Sequence, residues 1–159
     1  MKFKKYQPKK INVEQHKYRI CEPLSATGLR SIRYFLELSK GKIEEIVAGD
    51  MDQKAVEIIG KNLEINNIVS SDSSFKINCS EASQLLYSKM KYFDIIDLDP
   101  YGTAVPLLDS ALQALRNGGL LCVTFTDMSV LCGNYPETCY YKYGCIPHKT
   151  SFCHEVFVE

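Results

Sequence analysis

The residues best equipped for chemistry are Asp97-Leu98-Asp99-Pro100-Tyr101-Gly102. They close the apolar run Phe93 to Leu98, which reads as a central parallel strand covered on both faces. Side chains alternate along a strand, so Asp97 and Asp99 fall on one side of it. Pro100 fixes the turn and leaves its carbonyl free, and Tyr101 supplies a flat ring. A carboxylate, an accepting carbonyl and an aromatic face suit a planar base that bears an exocyclic amine. The two acceptors would hold N–H bonds while the ring stacks on the base. A helix cap beside a core tyrosine is the plainer reading of the same residues.

Other strand ends add to this. The first strand closes on Glu22, followed by Pro23-Leu24-Ser25-Ala26-Thr27-Gly28. A carboxylate, a turn of small residues and a helix start form the place where a doubly wound sheet holds a nucleotide-like ligand. Glu22 could organise the turn or receive the amino group of a sulfonium cofactor. The GxGxxG fingerprint is absent, which argues against a dinucleotide. The second strand ends at Asp50, whose carboxylate can accept from both hydroxyls of an adenosine ribose. Asp52 follows as the cap of the next helix. After the third strand, Glu81 and Ala82 could read an adenine amino group, or Glu81 could simply favour a helix N-terminus.

These side chains need elements to carry them. Strands are expected at Tyr18 to Cys21, Ile43 to Ala48, Phe75 to Ile77, Phe93 to Leu98 and Leu120 to Thr126. Helices are expected at 26–38, with Thr27 as a possible cap, and at 52–67, with Val56, Ile59 and Leu63 on one face. Further helices are expected at 81–90 and 105–115, and 70–74 reads as a loop. After Asp127 the pattern blurs into a polar, aromatic segment. This alternation implies right-handed βαβ crossovers and a doubly wound, mostly parallel α/β sheet.

Composition narrows the class. The 159 residues suit one domain, and 45% hydrophobic with 24% charged residues is ordinary for a globular protein. No apolar run approaches the roughly 20 residues of a membrane-spanning helix, so no membrane is expected. Formal net charge is zero, yet Lys2, Lys4, Lys5, Lys9, Lys10, Lys17 and Arg19 crowd the first twenty residues against Glu14. Residues 1–17 read as a basic arm, either solvated or in contact with phosphates, ahead of a domain at 18–159. Seven cysteines show no CxxC spacing. Cys21, Cys79 and Cys122 lie in or beside apolar stretches and read as buried, reduced thiols. Cys132, Cys139, Cys145 and Cys153, with His148 and His154, are too irregular for a zinc knuckle, so no metal is expected. The thiols and the lack of a secretion signal favour a reducing, intracellular compartment.

On these residues the chain resembles the family of tRNA (guanine-26-N2) dimethyltransferases. The resemblance is carried by EPLSATGLRSIRY, GDMDQKAV, DLDPYGTAVPLLDSALQALRNGGLLCVTFTDMSVLCGN, ETCYYKYG and CHE at 153–155. It implies a Rossmann-like class I S-adenosylmethionine-dependent methyltransferase that acts on tRNA, expected as a monomer. Glu22, Ser25, Ala26, Thr27 and Gly28 would hold the methionine part of S-adenosylmethionine. Asp50 would hold the ribose, Glu81 and Ala82 the adenine, and Asp97 is grouped with these cofactor ligands. Asp99, Pro100 and Tyr101 would form the catalytic amine site. Arg30 and Arg33 match the family's arginines of the first helix and are assigned to the substrate with Asp127, although surface ion pairs would also account for the arginines. Family members also carry an FYNP-like and an NRD-like segment before the first strand, and a further domain after CHE. The chain is therefore expected to be truncated at both ends. Methylation of another amine on nucleic acid or protein, and a cofactor-binding remnant without catalysis, are the alternatives.

Overall fold

A computed structural model describes residues 16–38, 41–68 and 74–151. Residues 1–15 of the basic arm, most of the serine-rich loop and the CHE segment lie outside the described residues. The elements run β1 (Tyr18–Glu22), α1 (Leu29–Glu37), β2 (Ile43–Asp50), α2 (Gln53–Ile65), β3 (Phe75–Cys79), α3 (Ala82–Tyr87), β4 (Phe93–Leu98), α4 (Val105–Ala114), β5 (Leu115–Val123), α5 (Met128–Leu131) and α6 (Pro136–Tyr143). All pairings are parallel, in the order β3-β2-β1-β4-β5. Chain order reverses between β1 and β4, so a crevice opens outside the carboxyl ends of these two strands.

The apolar runs are covered on both faces. Ile20, Ile46 and Ala48 join Ile32 of α1 and Ile59 and Leu63 of α2 in one core cluster. Cys21, Val47, Phe93, Ile96 and Leu98 join Leu85 and Leu86 of α3 and Ala111 and Ala114 of α4 in the other. Neighbouring residues of one strand thus serve opposite cores, as the two-residue period requires. On α1, Phe35 packs edge-on to Phe75 at 5.9 Å between ring centroids, while Leu36 is exposed.

Several expectations shift. The first strand extends to Glu22 and the second to Asp50, so both carboxylates sit on strand ends. The last strand runs from Leu115 to Val123, earlier than expected. Gly118, at φ 84°, lets the chain pass through the register shift opposite Phe93 and Ile95. That strand is not fully buried, because it lies at the sheet's edge among the described residues and Leu120 is exposed. The blurred segment after Asp127 contains α5 and α6. Helix α6 has Pro136 and Glu137 in its first turn, Lys142 in its last and Gly144 beyond it in the left-handed region, all favourable at those places. Cys21 is buried, but Cys79 is exposed and Cys122 half-buried. Cys139 is buried and Cys145 exposed, both free thiols. Among the described residues, no group of three or more His, Cys, Asp or Glu is placed to hold a metal, and no helix is long and apolar enough to cross a membrane.

Ile59 links α2 to the sheet and to Gly28, and it is fully buried. Ile59→Ala should lower the unfolding free energy by about 2–5 kcal/mol through lost burial and a residual cavity. The check is a urea midpoint that falls at an unchanged slope.

Candidate active site

The site begins with the turn from β1 into α1. Glu22 is buried, at 4% exposure. Its Oε2 accepts from the Ser31 N–H at 3.0 Å and from the Ser31 hydroxyl at 2.5 Å. Ser31 is the third residue of α1, so the strand-end carboxylate satisfies one of the orphan amides of the helix start. Thr27 was the expected cap, but the capping position falls to Gly28, which makes no side-chain cap. Gly28 sits at φ 71°, and a Cβ there would come within 2.9 Å of Ile59 Cγ2. Backbone conformation and close helix packing both require glycine there. Ala26 is also in the left-handed region, at φ 48°.

The second strand locks this turn. Ser25 N–H donates to the Gly49 carbonyl at 2.7 Å, and Ala26 N–H donates to Asp50 Oδ2 at 3.0 Å. Asp50 Oδ1 accepts from Asp52 N–H at 2.9 Å. Each oxygen keeps a further lone pair for a ligand hydroxyl. Asp52 caps α2 by accepting from Lys54 N–H at 2.9 Å, as its position implied. Glu81 caps α3 through Ser83 and Gln84, each N–H at 3.1 Å, and the Ser83 hydroxyl first, then these amides, hold its carboxyl below the usual range. The turn before α3 is tied to Asp50 by Ser80 N–H to the Asp50 carbonyl, 3.1 Å.

At the end of β4, Arg30 gathers the acids. Its Nη1 donates to Asp97 Oδ2 at 2.9 Å, its Nη2 to Asp99 Oδ2, and its Nε lies 3.8 Å from Glu22 Oε1. Tyr34, one helical turn further along α1, donates its hydroxyl to the same Asp97 oxygen at 2.6 Å. The bond from Asp97, then that from Asp99, hold Arg30 above its ordinary value despite desolvation. Burial, with the bond to Asp97 adding to it, pushes the Tyr34 hydroxyl up.

A cavity of about 720 Å³ spans these strand ends, within the usual size of a ligand site. It brings together Glu22, Ser25, Ala26, Thr27, Arg30, Arg33, Asp50, Asp99, Pro100 and Tyr101. Gly28, Glu81, Ala82, Asp97 and Asp127 are not among its lining residues. Asp127 accepts from the Tyr143 hydroxyl at 2.7 Å and Lys142 Nζ at 3.1 Å, which ties the chain after β5 to α6. Burial opposes its charge, but those partners hold its carboxyl below the usual range. Arg33 is exposed and pairs with Glu37 across one turn at 2.8 Å. Tyr101 stands fully in solvent. Leu24, Leu29, Met51 and Thr126 also line the cavity and were not singled out from sequence. Met51 had a legible signal, since it directly follows the strand-end Asp50. Tyr34 had only its helical spacing from Arg30, and Ser31 only its place in the first turn of α1.

With this geometry in view, the comparisons are specific. Residues 1–159 match the family described as N2,N2-dimethylguanosine tRNA methyltransferase. A mouse tRNA (guanine(26)-N(2))-dimethyltransferase is 47% identical over 141 residues, covering 87% of this chain and 20% of the mouse protein. A Schizosaccharomyces pombe protein of the same name is 46% identical, over 89% of this chain and 25% of the relative. The structure of Trm1 from Pyrococcus horikoshii with S-adenosyl-L-methionine superimposes with a TM-score of 0.80 at 34% identity, over 87% of this chain and 40% of that one. The fold is that of this methyltransferase, and the chain spans well under half the length of each of these relatives.

Glu22 makes the site sensitive to acid in a defined direction. Burial raises its carboxyl above the ordinary range, against the lowering effects of Ser31 and Arg30. The folded state therefore binds this proton more readily than the unfolded chain. Its contribution to stability is full below about pH 4.3 and is lost as pH rises through the raised value. Glu22→Gln keeps an acceptor for Ser31 and removes the titration. Relative to the parent, the variant should gain melting temperature as pH rises from about 4 through the raised value. Thermal scans across that range check this, and a difference that stays constant with pH contradicts it.

Proposed function

The chain belongs to the N2,N2-dimethylguanosine tRNA methyltransferase family, and on that premise we propose that it carries the core that methylates the exocyclic N2 of guanosine 26 in tRNA, giving N2,N2-dimethylguanosine. The methyl donor in this reading is S-adenosylmethionine. One observation carries the proposal. The Asp99-Pro100-Tyr101 strand end and the Asp50 strand end face a single cavity, so an amine acceptor and a ribose acceptor share one space.

The residues present fit such a donor. The polar wall carries three acids, Glu22, Asp50 and Asp99, beside Arg30 and Arg33, and the carboxylate oxygens left open suit a ligand that carries a sulfonium and an ammonium. When bound, S-adenosylmethionine supplies an electrophilic methyl group. Asp50 would accept the ribose hydroxyls on the lone pairs that Ala26 and Asp52 leave. The Ser25–Gly28 turn and Glu22 would hold the methionine end. Glu81 and Ala82 lie outside the cavity lining, and an adenine would meet them only by reaching past Met51 beside the Asp50 strand end.

The target base must leave its stack to reach this cavity. Tyr101, uncovered as it is, would receive it face to face. The Asp99 carboxylate and the Pro100 carbonyl would accept the two N2 protons. That contact would draw the nitrogen toward pyramidal geometry, which localises its lone pair and aims it across the cavity. Guanine N2 is a weak nucleophile because its lone pair is delocalised, so alignment supplies much of the catalysis. Asp99 would stabilise the positive charge that develops on nitrogen and accept the proton it releases. Arg33, on the cavity's rim, would meet the RNA, and Asp127 would contribute by holding α6 beside Thr126.

Two variants separate binding from chemistry. Asp50→Ala should weaken S-adenosylmethionine at least about tenfold in calorimetry, because charge-assisted hydrogen bonds are worth roughly 1.5–3 kcal/mol each. Asp99→Asn should slow single-turnover methyl transfer to a guanosine-26 tRNA by about a hundredfold. Its cofactor affinity should move by less than about threefold, since that carboxylate does not supply uniform binding. Unchanged affinity in the first variant or full rate in the second would sink the corresponding assignment.

A further inference from the structure

We propose that Arg30 is the positioning residue for the amine acceptor: its guanidinium bridges Asp97 and Asp99 and thereby fixes the Asp99 carboxylate at the cavity wall. The inference rests on the methyl-transfer reading for its catalytic consequence, but not for the bridge itself.

The geometry runs from the fold outward. Asp97 belongs to β4 and its side chain is 7% exposed, so its oxygens need partners. Helix α1 supplies two, Arg30 Nη1 at 2.9 Å and the Tyr34 hydroxyl at 2.6 Å, both on Oδ2. Because these donors are one helical turn apart, Asp97 and α1 fix each other's rotation. The second terminal nitrogen of Arg30 then meets Asp99 Oδ2, which lies beyond the strand and is 31% exposed. Asp97 is thus the anchor, Arg30 the strut and Asp99 the group held in place. Strut and anchor together leave Asp99 Oδ1 as the oxygen for an incoming amine.

A guanidinium is suited to this task and an ammonium is not. Its planar fork fixes the relative direction of two bonds, whereas lysine offers a single point charge. The bridge also compensates two carboxylates that meet at the end of β4, with Glu22 close behind them. An arginine contacting tRNA phosphates would need its nitrogens toward solvent, but here both terminal nitrogens are engaged by acids.

The test has a spectroscopic arm and a kinetic arm. Guanidinium-detected nitrogen NMR on this chain should show two resolved Nη signals for Arg30, because paired nitrogens rotate slowly. Asp99→Ala should shift the Nη2 signal and speed its rotation, while the Nη1 signal held by Asp97 stays in place, without lowering the melting temperature. A single averaged Arg30 signal in the parent protein overturns the proposal. In single-turnover transfer to a guanosine-26 tRNA, Arg30→Gln and Arg30→Lys should both slow the reaction at least about 30-fold. The tRNA KM should move less than about twofold, and the salt dependence of tRNA binding should stay unchanged. If Arg30 instead contacts phosphate, Arg30→Lys retains most of the rate, while Arg30→Gln raises KM and lowers the salt slope by about one. That pattern also overturns the proposal. The spectroscopic arm needs no turnover. A chain that binds no S-adenosylmethionine would therefore sink the methyl-transfer reading, while the nitrogen signals still decide the bridge.

Discussion

A single carboxylate buried at the tip of the first strand governs the geometry of the cavity. Glu22 accepts from both the backbone and the hydroxyl of Ser31 and so fixes where α1 starts relative to β1. Everything that α1 presents to the site inherits that placement. Arg30 and Tyr34 reach β4 because the helix is docked at this angle and depth. The turn between Glu22 and α1 can then be short and strained, with Ala26 and Gly28 in the left-handed region. Its amides are left facing the end of β2, where Asp50 takes that of Ala26. A buried acid without such partners would be costly. Here the cost is partly offset by a helix start that needs an acceptor and by Arg30 close at hand.

The other end of the sheet is held by the same kind of device. Asp94, near the start of β4, is buried and accepts from the Arg19 N–H at 2.9 Å, His16 Nε2 at 2.9 Å and Arg116 Nη1 at 2.8 Å. These donors come from the entry to β1, from β1 itself and from β5. Asp94 therefore pins the three strands that flank the topological switch. Gly119 permits the close approach, since a Cβ there would lie 2.7 Å from the Asp94 carbonyl oxygen. Strand β4 is clamped by Asp94 at its start and by Asp97 near its end. Asp99, just past the second clamp, inherits a position that would otherwise drift with the loop.

Much of this was legible in the sequence, for physical reasons. Strand β4 was clear because a continuous apolar run broken by Asp-Pro has few other readings. Glu22, Asp50 and Asp99 could be placed at the cavity because acids that terminate apolar runs face the mouth of a doubly wound sheet. What the sequence hid were pairings between elements. Nothing local to LRSIRYFLE tells which of its polar residues turns inward. Arg30 and Arg33 look alike, yet Arg30 lies on the face toward β4 and Arg33 pairs with Glu37 on the exposed face. Asp127 looked like a free strand-tip acid, and only the packing of α6 shows that Lys142 and Tyr143 occupy it. The start of β5 was misplaced because Asn117-Gly118-Gly119 reads as a turn. In the fold those residues remain in the strand, and the irregularity is absorbed by the shifted register.

The cavity joins a charged wall, where Glu22, Asp50 and Asp99 stand beside Arg30 and Arg33, to an apolar, uncovered rim, and the two ask for different things from a ligand. Leu29 is 64% exposed, Met51 71% and Tyr101 fully so. Isolated exposed apolar residues are ordinary, but these converge on one mouth. The acids gain most from a cation in a space from which water has been excluded, because charge interactions strengthen as the local dielectric falls. The rim can exclude that water only when something flat and apolar lies on it. A base stacked on Tyr101 and an adenosine beside Met51 would meet that need from opposite sides. The acids would then act at full strength only when both ligands are present. In such an arrangement, closure over the target base is itself a condition for stabilising charge on the transferred group. An electrophilic donor bound alone, with the rim still wet, would face a weaker field and a poorly aligned acceptor. On the proposed methyl-transfer reading, the open rim would limit reaction in the absence of the correct base.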